Sequence, residues 1–426
     1  MKNMNKVVVA ALLALLCSSF AFSQKVFTLV AVPGSSPDTS IAINNSSHAV
    51  INTGTSDSYQ VSVWSRANGS QSLGLAGASS GGTAINNSGD VVGAADPDQS
   101  GNLQAFVWQP TGGAQWLGSL GGNLSAATGI NDSGAVVGLS YNDTNSQHAF
   151  LWTQAGGMQD LTPDLASVGG GTAVAINSSN QVAGYYFPNG STNTVGFVWT
   201  QDGGLQSVGP VGTLAYAIND SGTVVGQSPA ASGYRHAFSW TAADGMQDLG
   251  TLGGVASSAL SLNQQGWIAG TSLTRSGNGL SHGFLWTPSG GMKDFTALAG
   301  LSATSQIYSA QVNDFGVVSV STNKGSYLLV PKMTATFNSS ANPSALGQPV
   351  TFTATMTSIA GPPPDGDAVQ FVVGGKVLGS ATLSGGIAQF TSSGIPVGSH
   401  VVVANYSGDA NYLPAKYTAI TQVVNK

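Results

Sequence analysis

Apolar residues in this chain come in short runs that alternate with small or polar ones, and the runs are broken by Gly, Asn and Ser. In His148-Ala-Phe-Leu-Trp152 the bulky residues fall on alternate positions, with Ala149 and Leu151 opposite. A period of two predicts a strand, and bulk on both faces suits a sheet stacked between two others. Asn-Asp-Ser-Gly between an apolar strand end and Val-Val predicts a tight turn, with Gly134 or Gly222 supplying positive φ.

The pattern repeats. Ile130-Asn-Asp-Ser-Gly-Ala-Val-Val-Gly138 returns at Ile218 to Gly226 and at Ile85 to Gly93, and weaker copies start at Ile43, Ile176, Leu262 and Val312. The leading residues Asn44, Asn86, Asn131, Asn177, Asn219, Asn263 and Asn313 are spaced by 42, 45, 46, 42, 44 and 50. A second phrase follows each, clearest at His148 to Trp152, His236 to Trp240 and His282 to Trp286. A third closes the first six units, as in Gly245-Met-Gln-Asp-Leu-Gly250, and the sixth is expected to be a strand over Met292 to Phe295. Units of about 44 residues with four short strands have the size of propeller blades. The seventh unit lacks the fourth phrase, while Val26 to Val30 ahead of the first unit reads as a matching strand. The expected fold is therefore all-β: a seven-bladed propeller over 24–331, closed by that N-terminal strand. Closure also removes sheet edges that so few charges could hardly protect.

Beyond Met333 the repeat vocabulary stops. Runs at Val350 to Met356, Ala368 to Val373, Lys376 to Gly379, Ala388 to Phe390, Val401 to Tyr406 and Tyr417 to Val424 predict an immunoglobulin-like β-sandwich over 333–426. At the other end, two Lys, an apolar stretch from Val7 to Leu16 and an Ala21-Phe22-Ser23 ending predict a secretory signal peptide over 1–23, cleaved before Gln24. Cys17 would mark a lipoprotein, but Leu16 before it is too large for that signal. The apolar stretch is too short for a membrane span.

Composition narrows the function. Asp, Glu, Lys and Arg make up 7% of the chain and none of them is Glu, which excludes a helical architecture laced with Glu–Lys pairs. Cleavage removes Lys2, Lys6 and the only Cys, leaving 10 basic and 18 acidic residues, net −8, with no disulfide or thiolate chemistry. No basic cluster is present to neutralise phosphates, so nucleic acid is not an expected partner. No cofactor fingerprint stands out, and no metal or cofactor is expected.

Candidate chemistry is sparse. His148, His236 and His282 share one repeat position and read as strand-end residues rather than ligands of one ion. Asp132, Asp220 and Asp314, replaced elsewhere by Asn45, Asn87, Ser178 and Gln264, read as turn formers. Asp160, Asp248 and Asp294 read as charges protecting sheet edges. The periodic residues Trp64, Trp108, Trp152, Trp199, Trp240 and Trp286 read as core, whereas Trp116 and Trp267 break the pattern. Trp116 replaces the fourth-strand Asp, and Trp267 stands where the first Val of Val-Val-Gly is expected, so these two are the candidate ligand-binding aromatics.

The Ile-Asn-Asp-Ser-Gly-x-Val-Val-Gly, His-Ala-Phe-x-Trp and Gly-Met-x-Asp-Leu-Gly phrases resemble the HAF repeats, a bacterial extracellular family named for its His-Ala-Phe signature. Pro349-Val-Thr-Phe-Thr-Ala354, Leu378 to Gly386 and Tyr406-Ser-Gly-Asp-Ala-Asn-Tyr412 resemble bacterial Ig-like domains of surface and secreted proteins. The resemblances imply an exported bacterial protein with a propeller-like repeat and a spacer or adhesive module; neither implies a catalytic activity. The expected function is non-catalytic binding of an extracellular glycan or protein at or outside the cell surface. A glycoside hydrolase or lyase using channel Asp residues and a structural envelope component are the alternatives.

Overall fold

The computed structural model describes residues 25–426 apart from 36–39, 56–57, 76–79, 164–169, 189, 276–278 and 418. The signal segment, 1–23, lies outside the described residues. Strand is the dominant element of the described residues, nearly all of it paired antiparallel, and they include one short α-helix at Phe295–Ala299. No helix of the described residues is long and apolar enough to cross a membrane.

Each repeat is one small sheet. Repeats two to six form four-stranded sheets in chain order, such as Gly121–Ile130, Val136–Asn142, Gln147–Thr153 and Gly157–Asp160 in the third. Among the described residues the first shows three strands, Ala49–Thr55, Ser58–Ser65 and Gly69–Ser72, with Ile43 bridged to Ala49. The seventh joins Ile307–Val312, Val318–Thr322 and Gly325–Pro331 to the N-terminal strand Phe27–Val32, which pairs from Phe27↔Pro331 to Val32↔Ser326. The sixth unit's last strand is Gly291–Asp294 rather than Met292 to Phe295. Asp294 caps the helix by accepting from the Ala297 N–H, and Phe295 turns into the core at 0% exposure.

Packing explains the phrases. The central Phe of the second phrase is fully buried in five repeats, as Phe106, Phe150, Phe197, Phe238 and Phe284. Beside each lies the Gly of Val-Val-Gly. A Cβ added at Gly93, Gly138, Gly184, Gly226 or Gly270 would stand 1.9 to 2.2 Å from a carbonyl oxygen of the first strand. That oxygen comes so close because the first strand bulges there by one residue: Thr83, Thr128, Val174, Tyr216 and Leu260 are the extra residues. Bulge and Gly occur together. In the seventh repeat Val320 takes the Gly place, Ala310↔Val320 pairs in regular register, and the bulge moves to Tyr308, between Ile307 and Ser309.

The C-terminal unit is a two-sheet sandwich. Thr334–Ser339, Val350–Thr357 and Ile387–Ser392 form one sheet; Ser344–Ala345, Ile420–Asn425, Gly398–Tyr406, Ala368–Val373 and Lys376–Thr382 form the other, with Ala415–Lys416 at its side. Phe352, Phe371, Tyr406 and Tyr412 fill the core between them.

A sandwich loop is joined to repeats one and seven. Asn411, 4% exposed, accepts from Ser47 Oγ at 2.6 Å and Asn313 Nδ2 at 2.9 Å, and donates to the Asn45 carbonyl at 2.8 Å. Arg66 donates to the carbonyls of Asp409 and Tyr412. Phe315 packs against the sandwich core, and Leu413 against the cluster of Val32, Ile41 and Val317.

This junction carries a pH prediction. Burial raises the Asp409 carboxyl above its ordinary value of 3.8, outweighing the lowering effect of N–H bonds from Tyr412 and Asn411 and of Arg66. A carboxyl with a raised folded pKa takes up protons on folding. Its contribution to stability therefore falls as pH rises from the unfolded value through the folded one. Asp409→Asn keeps the Oδ1 acceptor and removes the charge. The variant is expected to melt above the unchanged chain at pH 7, the gap shrinking toward pH 3.5; an equal gap at both pH values would show that Asp409 does not titrate in this window.

Candidate functional site

The residues that define the repeats meet around one cavity. Each leading Asn works twice. Asn131 Oδ1 accepts from the N–H groups of Ser133 and Ala135, closing its own turn, while Nδ2 donates to the carbonyl of Asn177 in the next repeat at 2.9 Å. The same side-chain-to-carbonyl bond runs from Asn44 to Asn86, Asn86 to Asn131, Asn177 to Asn219, Asn219 to Asn263 and Asn263 to Asn313, and from Asn313 back to Asn44. All seven leading Asn side chains are buried.

The following position makes a second set. Its side-chain oxygen accepts the backbone N–H of the same position one repeat earlier: Asn45 to Asn87, Asn87 to Asp132, Ser178 to Asp220, Asp220 to Gln264, Gln264 to Asp314 and Asp314 to Asn45, all at 2.8 to 3.0 Å. The link from Asp132 to Ser178 is the one not made, since the Ser hydroxyl is shorter than an Asn, Asp or Gln side chain. Both carboxylate oxygens of Asp132 and Asp314 are taken, the second by Asn87 Nδ2 and Asn45 Nδ2. These residues do more than form turns: they join neighbouring repeats.

Two cavities meet here. The smaller, about 250 Å³, is bordered by these Asn, Asp and Gln residues from all seven repeats. The larger, about 530 Å³, is bordered by the earlier part of the first strands, including Thr83, Thr128, Val174, Tyr216, Leu260 and Tyr308. Ile43, Ile130, Ile176, Leu262 and Val312 border both. The sandwich contacts fall on Asn45, Ser47, Asn313 and Phe315, on the side of the smaller cavity. Tyr216 accepts a hydrogen bond from Gln227 at 2.9 Å, and burial, the largest effect, raises its hydroxyl pKa, so it stays neutral.

The histidines are placed elsewhere. His148, His236 and His282 approach Asp160, Asp248 and Asp294 through Nδ1 at 2.9, 2.9 and 2.8 Å, tying the third strand to the fourth. These Asp residues lie on the outermost strand of their sheets, and each also has a defined partner across the hairpin. At His148 the approach is close without the alignment of a hydrogen bond, whereas the other two make one. The remaining nitrogen differs: Nε2 faces Asn142 Nδ2 at 3.2 Å, Ser232 Oγ at 3.3 Å and the Ala303 carbonyl at 3.3 Å. Ser232, His236 and Asp248 thus form a file that sequence spacing did not single out. Its shared element is the His–Asp pair, and Ser232 lies in an exposed turn outside both cavities. No group of three or more His, Cys, Asp or Glu suited to a metal exists among the described residues.

Trp116 and Trp267 are not brought together and border neither cavity. Trp116 is half-buried, edge-on to Phe106 with ring centres 6.2 Å apart. Trp267 is half-buried against the cluster of Ile307, Val312 and Val318. It occupies the turn-closing place held by Ala135 in the third repeat, its carbonyl accepting from Asn263 N–H, and Ile268 takes the first Val position by pairing with Trp286. Tyr216 and Tyr308, which the sequence reading passed over, are the aromatics at the larger cavity. Their signal was an aromatic three and five residues before the leading Asn.

The model of the bacterial Ig-like domain (group 3) family matches residues 336–425, and no HAF-repeat model matches the chain. No curated protein matches the chain. Among solved structures, the extracellular domain of a hybrid two component system of B. thetaiotaomicron aligns with 95% of this chain and 60% of its own, at 8% identity and a TM-score of 0.44. Puromycin hydrolase aligns over 88% and 59%, at 13% identity and 0.45. AofleA of Arthrobotrys oligospora aligns over 89% and 96%, at 10% identity and 0.25. The chain spans about 60% of the length of the first two, and at these scores the likenesses carry no argument.

Proposed function

We propose that residues 24–331 are HAF-type repeats forming a closed seven-bladed propeller in an exported protein, and that this propeller is a non-catalytic binding module for an extracellular glycan or protein. The propeller reading is supported by the Asn hydrogen bonds that return from Asn313 to Asn44 and by the N-terminal strand paired into the seventh sheet. The observation carrying the function is the pair of cavities walled by the repeats, whose bordering acids are engaged as acceptors of neighbouring N–H groups rather than left as a facing acid–base pair. The sandwich, held to repeats one and seven, is a fixed extension of the module.

The test is to incubate residues 24–426 with soluble and insoluble polysaccharides and to measure capture and reducing-end release together. Capture without release is the expected result, with Trp116→Ala and Trp267→Ala assayed beside the unchanged chain. Release that disappears in Asp132→Asn or Asp220→Asn would replace this reading with a glycoside hydrolase.

A further inference from the structure

We propose that the larger cavity binds an uncharged oligosaccharide, with Tyr308 and Tyr216 as its aromatic contacts. The inference rests on the binding reading above and names the ligand class and the face used.

Six first-strand bulge residues border this cavity: Thr83, Thr128, Val174, Tyr216, Leu260 and Tyr308. A bulge re-aims one side chain out of the alternation of its strand. In repeats two to six the bulge lies opposite a Gly, because any Cβ there would strike the bulged strand's carbonyl. Val320 forbids that placement in the seventh repeat. The bulge shifts two residues toward the strand's start, to Tyr308, which is 46% exposed at the cavity wall. The register of the seventh sheet therefore presents an aromatic ring at the side away from the sandwich.

The chemistry of the wall selects the ligand. None of its bordering residues is Asp, Lys, Arg or His; the polar groups are hydroxyls and an amide, from Ser40, Thr83, Thr128, Ser261, Ser309 and Gln311. A charged ligand would have no counter-charge among these residues, whereas the Thr83, Thr128, Ser261 and Ser309 hydroxyls, already partnered within the protein, keep further hydrogen-bonding capacity for a neutral polar ligand. A sugar offers apolar C–H faces for tyrosine rings and hydroxyls for neutral donors and acceptors. The volume of about 530 Å³ falls within the common range for small-molecule sites. The opposite approach is partly covered by the Asn411 loop, so entry is from the Tyr308 side.

Calorimetric titration of residues 24–426 with cellohexaose, maltohexaose, xylohexaose, mannohexaose and the acidic hexagalacturonate tests this. At least one neutral probe is expected to bind and the acidic one to fail. Tyr308→Ala should weaken binding about tenfold without moving the melting temperature, and Tyr308→Phe should retain it. Failure of all four neutral probes, equal binding of the acidic one, or undiminished binding in both Tyr308→Ala and Tyr216→Ala would overturn the proposal. Polysaccharide capture that survives both substitutions would remove this site and leave the binding reading standing. Reducing-end release would remove the reading itself.

Discussion

Gly138→Ala is expected to destabilise the repeat region by about 3 kcal/mol or more, at the upper end of overpacking costs. The added methyl would stand 2.0 Å from the Ala126 carbonyl oxygen and 2.8 Å from the Phe150 ring, which is fully buried. Neither neighbour is the free end of a flexible side chain. Relief requires the first strand to leave its bulge, which would turn Thr128 away from the Ala173 carbonyl in the next sheet, to which its hydroxyl donates at 2.7 Å. The damage thus passes from one sheet to its neighbour. Gly134→Ala is the control: φ there is 80° and nothing lies within 4 Å of the added Cβ, so the cost is left-handed backbone strain of about 1 kcal/mol. Urea unfolding of the two variants separates the effects. Equal midpoints would show that close approach of the first strand is not what selects Gly.

Asn411→Ala should cost about 2 to 4 kcal/mol, since it removes three hydrogen bonds, two of them buried, and strands their partners. Asn313 Nδ2 is shared between Asn411 and the Asn44 carbonyl, where the seventh repeat meets the first. Among the described residues this is also where the first repeat shows no inner strand. The sandwich therefore braces the junction between the seventh repeat and the first. Calorimetry of the unchanged chain is expected to give one joint transition, and the variant an earlier one in which repeats and sandwich separate. A variant that melts with the unchanged chain would show that the loop rests on the repeats without bracing them.

Much of this architecture was legible from one-dimensional signals. The spacing of Asn44 to Asn313 located the seven sheets, period two located the strands, and the missing seventh closing phrase together with Val26 to Val30 anticipated the pairing with Ser326 to Pro331. Local chemistry sufficed there, because a turn Asn and an alternating strand act over a few residues. The sandwich strand Thr334–Ser339 was not anticipated: only Phe337 of its six residues is buried, so its pattern reads as a polar loop until a partner strand supplies an apolar face.

The candidate site was legible only in part. Asp132, Asp220 and Asp314 look the same in sequence whether they close turns or join repeats, since the N–H groups they accept lie 42 to 50 residues away. The pairing of His148 with Asp160, and its two counterparts, depends on hairpin register, which places residues twelve apart side by side. The two aromatics that broke the repeat, Trp116 and Trp267, rest against cores, while Tyr308 reached the cavity through a shifted bulge. Repetition, strand period and turn chemistry are short-range properties, and the amino-acid order alone determined them. Which side chains converge was decided by register and by the meeting of sheets, because a single displaced bulge moves a residue from one face to another without any change in its immediate sequence.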